Sequence, residues 1–317
     1  MKTKNRLLMA MSMLCLCCLA ATAQTSPAGE SYSYSRASNS YILSWGYFYQ
    51  NNMSDLATEV VFSDDSKVYF HDIVAQPPIS HDYWIEGKLE GKSITIDLPI
   101  QLADYSADNM VIAALRFSAE DNTLYYDPDV TSVSLTYDPA TGYICSPEGS
   151  ELANGTLAIG MVKVEDNSWS GSADYNFRLE RITNPPIVAP EGLEIEQYAL
   201  TGEDYIGGLI NVGFDGNDVY VQGLYNDLPD AWVKGIISGD KVIFANKQYL
   251  GVDPSVNRHC YMISATYEEL TAPYSGRLYS LADEDIVFDY DGGSQILSNS
   301  SCFLVNAGKD ELYNYYP

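Results

Sequence analysis

The chain carries VYFHDI at residues 68–73 and WIEGKLEGK at 84–92, and both stretches return as VYVQGL at 219–224 and WVKGIISGD at 232–240. The two copies are offset by about 150 residues, far more than the period of a solenoid repeat. An offset of this length is typical of a duplicated whole domain. The sequence therefore predicts two similar domains in tandem.

Each copy is rich in residues that favour β-strands. Tyrosine accounts for 26 of the 317 residues, and it joins Val, Ile and Thr in short runs separated by Gly, Asp, Asn and Pro. Short connections between consecutive strands favour antiparallel pairing, so we expect an all-β protein of two antiparallel β-sandwiches or small β-barrels. In the second copy the pattern predicts strands at Glu194–Leu200, Leu209–Phe214, Val219–Leu224, Ala231–Ile237, Lys241–Phe244, Gln248–Val252, Tyr261–Tyr267, Arg277–Leu281, Ile286–Tyr290, Gln295–Leu297 and Phe303–Val305.

Alternation along the repeated strands predicts which side chains face the core. Val68 and Phe70 match Val219 and Val221 in the second copy. Because these positions are apolar in both copies, we expect them to point inward. A glycine stands at the centre of the following strand in each copy, at Gly87 and at Gly235. A glycine in a strand interior indicates a bulge or a close crossing of another backbone.

The N-terminus is typical of a secretory signal peptide. Lys2, Lys4 and Arg6 precede an apolar run over 7–19, and a small-x-small cleavage site ends at Ala23. We expect cleavage after Ala23 and a secreted, periplasmic or cell-surface location in a Gram-negative-type bacterium. No later run is long and apolar enough to predict a transmembrane span.

A proline-rich segment separates the two copies. Three prolines between Asn184 and Pro190 favour a short, stiff, extended linker. We therefore expect the signal peptide at 1–23, the first β-domain at 24–183, the linker at 184–190 and the second β-domain at 191–317.

The copies differ at their ends. In the first copy residues 174–177 lead into a further strand at 178–182, whereas the matching residues 312–315 stop two residues before the last residue of the chain. Either the second copy lacks its final strand or the sequence is a truncated form of a longer one. A missing strand predicts an exposed sheet edge.

The chain is strongly acidic, and this excludes several partners. It contains 43 carboxylates against 17 lysines and arginines, a formal charge of −26. Cleavage of the leader removes three cations and no carboxylate, which leaves −29. Nucleic acid binding needs clustered Lys and Arg, so we expect no nucleic acid partner.

Three cysteines remain after cleavage, an odd number in a compartment that permits disulfides. Cys260 and Cys302 lie in the second copy and could form a pair, with Cys145 left as a lone thiol. The alternative is three unpaired cysteines.

The second copy resembles a known repeat in VYVQGL at 219–224, LPDAWVKG at 228–235 and QYLG at 248–251. These segments are similar to a repeat of uncharacterised secreted proteins from Bacteroidota-type bacteria. The likeness covers most of the second copy and extends more weakly over 60–140, where QLAD at 101–104 replaces QYLG. The resemblance implies an extracellular or cell-surface setting and brings no known activity or catalytic residues.

Two tryptophans are the candidate ligand-binding residues. Trp84 and Trp232 occupy the same position in the two copies, each two residues after an aspartate, Asp82 or Asp230. An indole on a partly polar face can stack on the apolar face of a sugar or on a peptide. The alternative is that each indole covers one end of the sandwich or barrel.

The sequence predicts no metal site and no cofactor. The pairs His71–Asp72, His81–Asp82 and His259–Cys260 match no zinc spacing. Asp127–Asp129 and Asp289–Gly292 offer clustered oxygens for calcium, but neither completes a calcium loop, and acidic turns are usually solvated.

We find no nucleophile elbow, phosphate loop or metalloprotease motif, so no catalytic residue is predicted. The leading hypothesis is a secreted or surface-exposed, non-catalytic β-protein that binds a neutral glycan or a protein partner. One alternative is a glycan-degrading hydrolase that uses paired carboxylates. A second alternative is a structural or assembly protein that uses an open sheet edge.

Overall fold

The structure is a computed structural model that describes residues 26–71, 73–74, 83–101, 110–147, 149, 151–163, 165–202, 208–271, 276–299, 301–310 and 312. The predicted signal peptide at 1–23 lies outside this part of the chain. The fold is all-β and contains two closed barrels of eight and seven strands. The predicted fold class is therefore confirmed, and the choice between sandwich and barrel is settled in favour of barrels.

The chain forms two compact units. Unit 1 comprises Met1–Met53 and Thr58–Arg181, and unit 2 comprises Ser54–Ala57 and Ile182–Pro317. Each unit has its own buried core.

The first twelve strands precede the linker. They are β1 Glu30–Ser44, β2 Tyr47–Phe62, β3 Lys67–His71, β4 Trp84–Glu90, β5 Ser93–Asp97, β6 Ile100–Gln101, β7 Met110–Ser118, β8 Thr123–Tyr126, β9 Ser132–Tyr137, β10 Ile144–Cys145, β11 Leu157–Lys163 and β12 Ser168–Arg181. The eight-stranded barrel runs β2-β3-β4-β5-β9-β10-β12-β1 and closes where β1 pairs with β2. Strands β6, β7, β8 and β11 extend the sheet beyond the barrel.

Eleven strands follow in unit 2, close to the positions that the alternation predicted. They are β13 Ile195–Thr201, β14 Gly208–Asp215, β15 Asp218–Gln222, β16 Trp232–Ser238, β17 Lys241–Phe244, β18 Gln248–Asp253, β19 Arg258–Glu269, β20 Arg277–Leu281, β21 Ile286–Asp291, β22 Ile296–Asn299 and β23 Cys302–Ala307. The barrel consists of β13-β14-β15-β16-β17-β21-β22. The order of pairing repeats that of unit 1: β15-β16-β17-β21-β22 follows β3-β4-β5-β9-β10, and β19 pairs with β18, β20 and β23 as β7 pairs with β6, β8 and β11.

The barrels close in different ways. In unit 1, β12 lies between β10 and β1 and is antiparallel to both. In unit 2, β13 pairs directly with β22 in parallel, at Ala199–Ile296 through Thr201–Ser298. Among the described residues, the parallel ladder closes the unit 2 barrel without a counterpart of β12; whether the second copy has a further strand stays a prediction.

The inward positions are those that alternation predicted. Val68, Phe70, Val219 and Val221 are fully buried. The central glycines have a different role from the one expected, because the register through both strands is regular and shows neither a bulge nor a backbone crossing. A Cβ on Gly87 would lie 2.8 Å from Ile94 Cγ2, so side chains of the next strand fill the space.

We expect a methyl group at either glycine to destabilise its own barrel. A Cβ on Gly235 would lie 2.7 Å from Val242 Cγ1, and overpacking of this kind costs about 1–3 kcal/mol. Gly87→Ala should lower the unfolding midpoint of unit 1 and Gly235→Ala that of unit 2, as measured by chemical denaturation. The control is Gly208→Ala, where no atom lies within 4 Å of the added carbon. Equal midpoints for all three variants would contradict the packing argument.

A buried polar cluster lies where β1 pairs with β12. Arg36 and Asp174 are 1% and 0% exposed, and Nη1 of Arg36 lies 4.0 Å from Oδ2 of Asp174. Ser40 donates a short hydrogen bond to the same carboxylate, and Asn176 donates to Asn39 Oδ1 at 2.7 Å. A charge taken out of water needs such partners.

Removal of the carboxylate should be costly, because it leaves the guanidinium buried without a counter-charge. We expect Asp174→Ala to reduce the free energy of unfolding of unit 1 by about 3–5 kcal/mol. Glu90→Ala is the control, since Glu90 and its partner Lys88 are both exposed and such pairs contribute little to stability. Urea titration measures the free energy of unfolding of both variants. A similar decrease in the two would show that burial does not determine how much an ion pair contributes to stability.

Candidate functional site

Trp84 lies on β4 and is largely buried, with 8% of its surface exposed. It pairs across the strands with His71, and the two ring centroids are 4.8 Å apart. Asp82 lies outside the described residues. Most of the Trp84 surface is therefore in contact with protein, and only a small part is open to a ligand.

Trp232 begins β16 in unit 2 and is half-buried. Its partner across the ladder is Gln222, the position that His71 holds in unit 1, and it also forms an isolated bridge with Ile187 of the linker. Asp230 is exposed in the preceding loop. The ligand-binding role of these residues stays a prediction.

The two tryptophans differ in the expected cost of removal. Trp84→Ala should destabilise unit 1 by about 3–5 kcal/mol, whereas Trp232→Ala should cost less because its side chain is only half-buried. A binding role requires Trp232→Ala and the milder Trp84→Phe to weaken glycan binding while both units stay folded. Fluorescence titration against neutral glycans checks this, and unchanged binding would remove both residues from the site.

The histidine and cysteine candidates do not form a reactive cluster. His259 is fully buried, with Nδ1 2.8 Å from the Tyr249 hydroxyl. Among the described residues, no disulfide involves Cys145, Cys260 or Cys302. Burial raises the pKa of the Cys260 thiol to about 12, so this thiol is protonated at neutral pH. Among the described residues no group of three His, Cys, Asp or Glu side chains is placed to hold a metal; His81 and Asp72 lie outside that set.

The acidic turns use their carboxylates within the protein. The Asp127 carboxylate accepts a hydrogen bond from Arg116. It also accepts one from the main-chain N–H of Asp129, at 3.1 Å. The Asp291 carboxylate accepts hydrogen bonds from the main-chain N–H groups of Gly293 and Ser294, at 3.0 and 3.1 Å. Hydrogen bonds from Ser294 lower the pKa of Asp291.

A cluster of exposed aromatic rings lies at the hairpin between β1 and β2. Trp45 is 97% exposed, Tyr47 77% and Tyr49 46%. Trp45 and Gly46 form the turn with φ values of 53° and 82°, and two successive residues with positive φ are typical of the tight turns that match strand twist. We call residues Leu43–Tyr49 the aromatic tip. Exposed apolar clusters of this kind mark binding surfaces.

Stacked rings anchor the base of the aromatic tip. Tyr41 stacks on Phe48 with centroids 5.3 Å apart and on Trp169 of β12 at 5.7 Å, with interplanar angles of 4° and 16°. Trp169 Nε1 also donates to Ser172 O at 2.9 Å. The hairpin therefore has a packed face and an exposed face.

The aromatic tip belongs to an uncharged segment of an acidic chain. No Asp, Glu, Lys or Arg occurs from Ala37 to Met53. The segment supplies amides instead: Gln50, Asn51 and Asn52 are exposed. The sequence reasoning missed this site, although a Trp-Gly pair among closely spaced aromatics in YILSWGYFY at 41–49 is a hairpin signal.

Comparisons with known proteins give no assignment: no family model matches the chain, and no curated protein or solved structure matches it. In the part of the chain that the structure describes, no helix is long and apolar enough to cross a membrane.

Proposed function

We propose that this is a secreted or surface-exposed, non-catalytic β-protein that binds a neutral glycan through the aromatic tip. The observation that carries the proposal is the exposure of Trp45, Tyr47 and Tyr49 on one short hairpin. The extracellular setting rests on the leader sequence and on the resemblance to secreted Bacteroidota-type repeat proteins, both of which are part of the proposal.

Aromatic rings suit a sugar because each pyranose has an apolar face that can lie against them. Tyr47 and Tyr49 are two positions apart on β2 and therefore share a face of the strand. Successive sugars of a chain can lie along such rings, while the Tyr hydroxyls and the Trp45 indole N–H offer hydrogen bonds.

Charge selects against ionic ligands. The formal charge of −26 repels sulfated and carboxylated polymers, and the aromatic tip has no carboxylate to pair with a cation. Just beyond the tip on β2, the exposed amides of Gln50 and Asn51 can both donate to and accept from sugar hydroxyls. A neutral glycan is the ligand class that this chemistry fits.

Two buried carboxylates, Asp174 and Asp253, support a non-catalytic role. Asp174 contacts Arg36 and Ser40, and Asp253 accepts hydrogen bonds from the Tyr225 hydroxyl at 2.6 Å and from Ser255. Both acids are thus engaged in structural contacts rather than held open toward a substrate.

The decisive variant is Trp45→Asn, which removes the indole and leaves an Asn-Gly turn, the favoured pair for this geometry. We expect about fivefold weaker binding of the preferred neutral polysaccharide, since a stacked ring contributes about 1 kcal/mol, with no loss of stability. Isothermal titration against neutral glucans, mannans and xylans, with sulfated polymers for comparison, measures the change.

Leu209→Ala removes another exposed apolar side chain, this one in unit 2, and is the control. If Trp45→Asn binds the glycan as tightly as this control does, the aromatic tip is not the contact. Release of new reducing ends during the titration would reject the non-catalytic assignment.

A further inference from the structure

One wall of the unit 1 barrel is interrupted beside β10. This strand has only two residues, and its register places Cys145 opposite Thr136 of β9. Continued by two residues, the same register would place Pro147 opposite Ser134. A proline has no N–H to donate, so pairing along β9 ends there.

The main chain of β9 therefore has a free edge. The N–H of Tyr137 donates to Lys92 O at 2.8 Å, so Tyr137 and every second residue before it bond toward β5. The main-chain groups of Ser132 and Ser134 then point the opposite way, because successive residues alternate in an antiparallel ladder. Among the described residues no strand pairs with Ser132 or Ser134 on that side.

A cavity of about 140 Å³ lies beside this edge. Apolar side chains dominate its walls, and the exposed Ser134 and Pro147 lie at its border with solvent. The lining residues are Ser132, Val133, Ser134, Leu135, Ser146, Pro147, Leu157, Ile159, Tyr175 and Phe177. A dry apolar cavity of about 150 Å³ holds one benzene-sized group, so this one has room for a single aliphatic or aromatic side chain.

The duplicated unit has larger side chains at two of the equivalent positions. Leu135 on β9 is equivalent to Phe288 on β21, since the two pair with the equivalent strands β5 and β17. Ile159 on β11 is equivalent to Phe303 on β23 in the same way, through β7 and β19. The two phenylalanine rings contact each other edge to face, with centroids 5.4 Å apart. Unit 1 has smaller side chains at both positions.

Acidic side chains flank one end of the free edge. Asp97 pairs across the ladder with Ser132, and Asp129 lies three residues before it. Both carboxylates are exposed. A cationic residue near this end of an incoming segment would be complementary.

We propose that the slit between β9 and β11–β12 binds an extended peptide segment of a partner protein. The segment adds as a strand to Ser132 and Ser134, inserts one aliphatic or aromatic side chain into the cavity, and places a Lys or Arg beside Asp97 and Asp129. Main-chain hydrogen bonds supply affinity in such strand addition, and the pocket supplies specificity. This site is independent of the glycan contact, since it lies at β9 rather than at the aromatic tip.

The probe is a labelled peptide series, acetyl-Lys-Thr-X-Thr-Thr-Lys-amide, in which X is Leu, Phe, Ala or Asp. Fluorescence anisotropy with the full mature chain should show about tenfold tighter binding for X as Leu or Phe than for Ala, because the cavity buries the larger side chain. Hydrogen exchange at the amides of Ser132 and Ser134 should slow when the Leu peptide is bound.

Two variants test the slit itself. Leu135→Phe combined with Ile159→Phe copies unit 2, fills the cavity and should weaken the Leu peptide about tenfold. Ser134→Pro removes the free N–H while the β5 side of β9 stays intact, and should weaken every peptide. Ser134→Ala keeps the N–H and is the matched control, with binding unchanged. If Ser134→Pro fails to fold, the filled variant decides alone.

The proposal is overturned if no peptide of the series binds at millimolar concentration, or if the filled variant binds the Leu peptide as well as the natural chain does. It is also overturned if the chain self-associates with rising concentration and the filled variant abolishes this. That result would assign the slit to a second copy of the protein.

Discussion

Closure of each barrel is the constraint on which the rest of the structure depends. A sheet edge that stays open leaves unpaired main-chain groups, and the two units close their barrels with different strand pairings. Unit 2 joins β13 to β22 in parallel, and unit 1 inserts β12 between β10 and β1. Because β12 is fourteen residues long and β10 only two, the first half of β12 passes beyond β10 and pairs with β11 instead. The slit at β9 is a consequence of this mismatch in length.

The same long strands explain the buried charge and the stacked rings. The register of β1 against β12 shifts between Ala37 and Asn39, and the polar cluster of Arg36 and Asp174 lies at this irregularity. Beyond it the strands leave the barrel core and form a second, smaller core around Tyr41 and Tyr175. Trp169 and Phe48 pack beside this second core, so the aromatic tip is held by the part of the hairpin that has left the barrel.

Local pattern was sufficient for most of the fold. Alternation and turn residues placed the eleven strands of unit 2 and the buried Val219 and Val221, because each of those signals acts over a few residues. Closure could not be predicted in this way, since the parallel pairing of Ala199 with Ile296 joins residues far apart in the chain. The central glycines were misjudged for a similar reason: the atoms that fill the space at Gly235 belong to Val242 and Phe244 on the next strand. The candidate site was harder still, because the sequence shows aromatic residues but not which of them pack and which, like Trp45, remain exposed.

The two units of this chain can be compared with each other. Features present in both are those that the barrel itself requires. The inward valines, the filled glycines and the matched positions of Trp84 and Trp232 all belong to this shared set, which is consistent with a packing contribution from each indole. The aromatic tip and the slit belong to the other set. The sequence between β13 and β14, which corresponds to the tip, contains Glu203 and Asp204 and no tryptophan, and positions equivalent to the cavity lining hold Phe288 and Phe303. Neither feature is needed to form a barrel, because unit 2 forms one without them. Both features are therefore particular to one copy rather than required by the barrel, and both lie on the unit whose long strands extend past its own barrel.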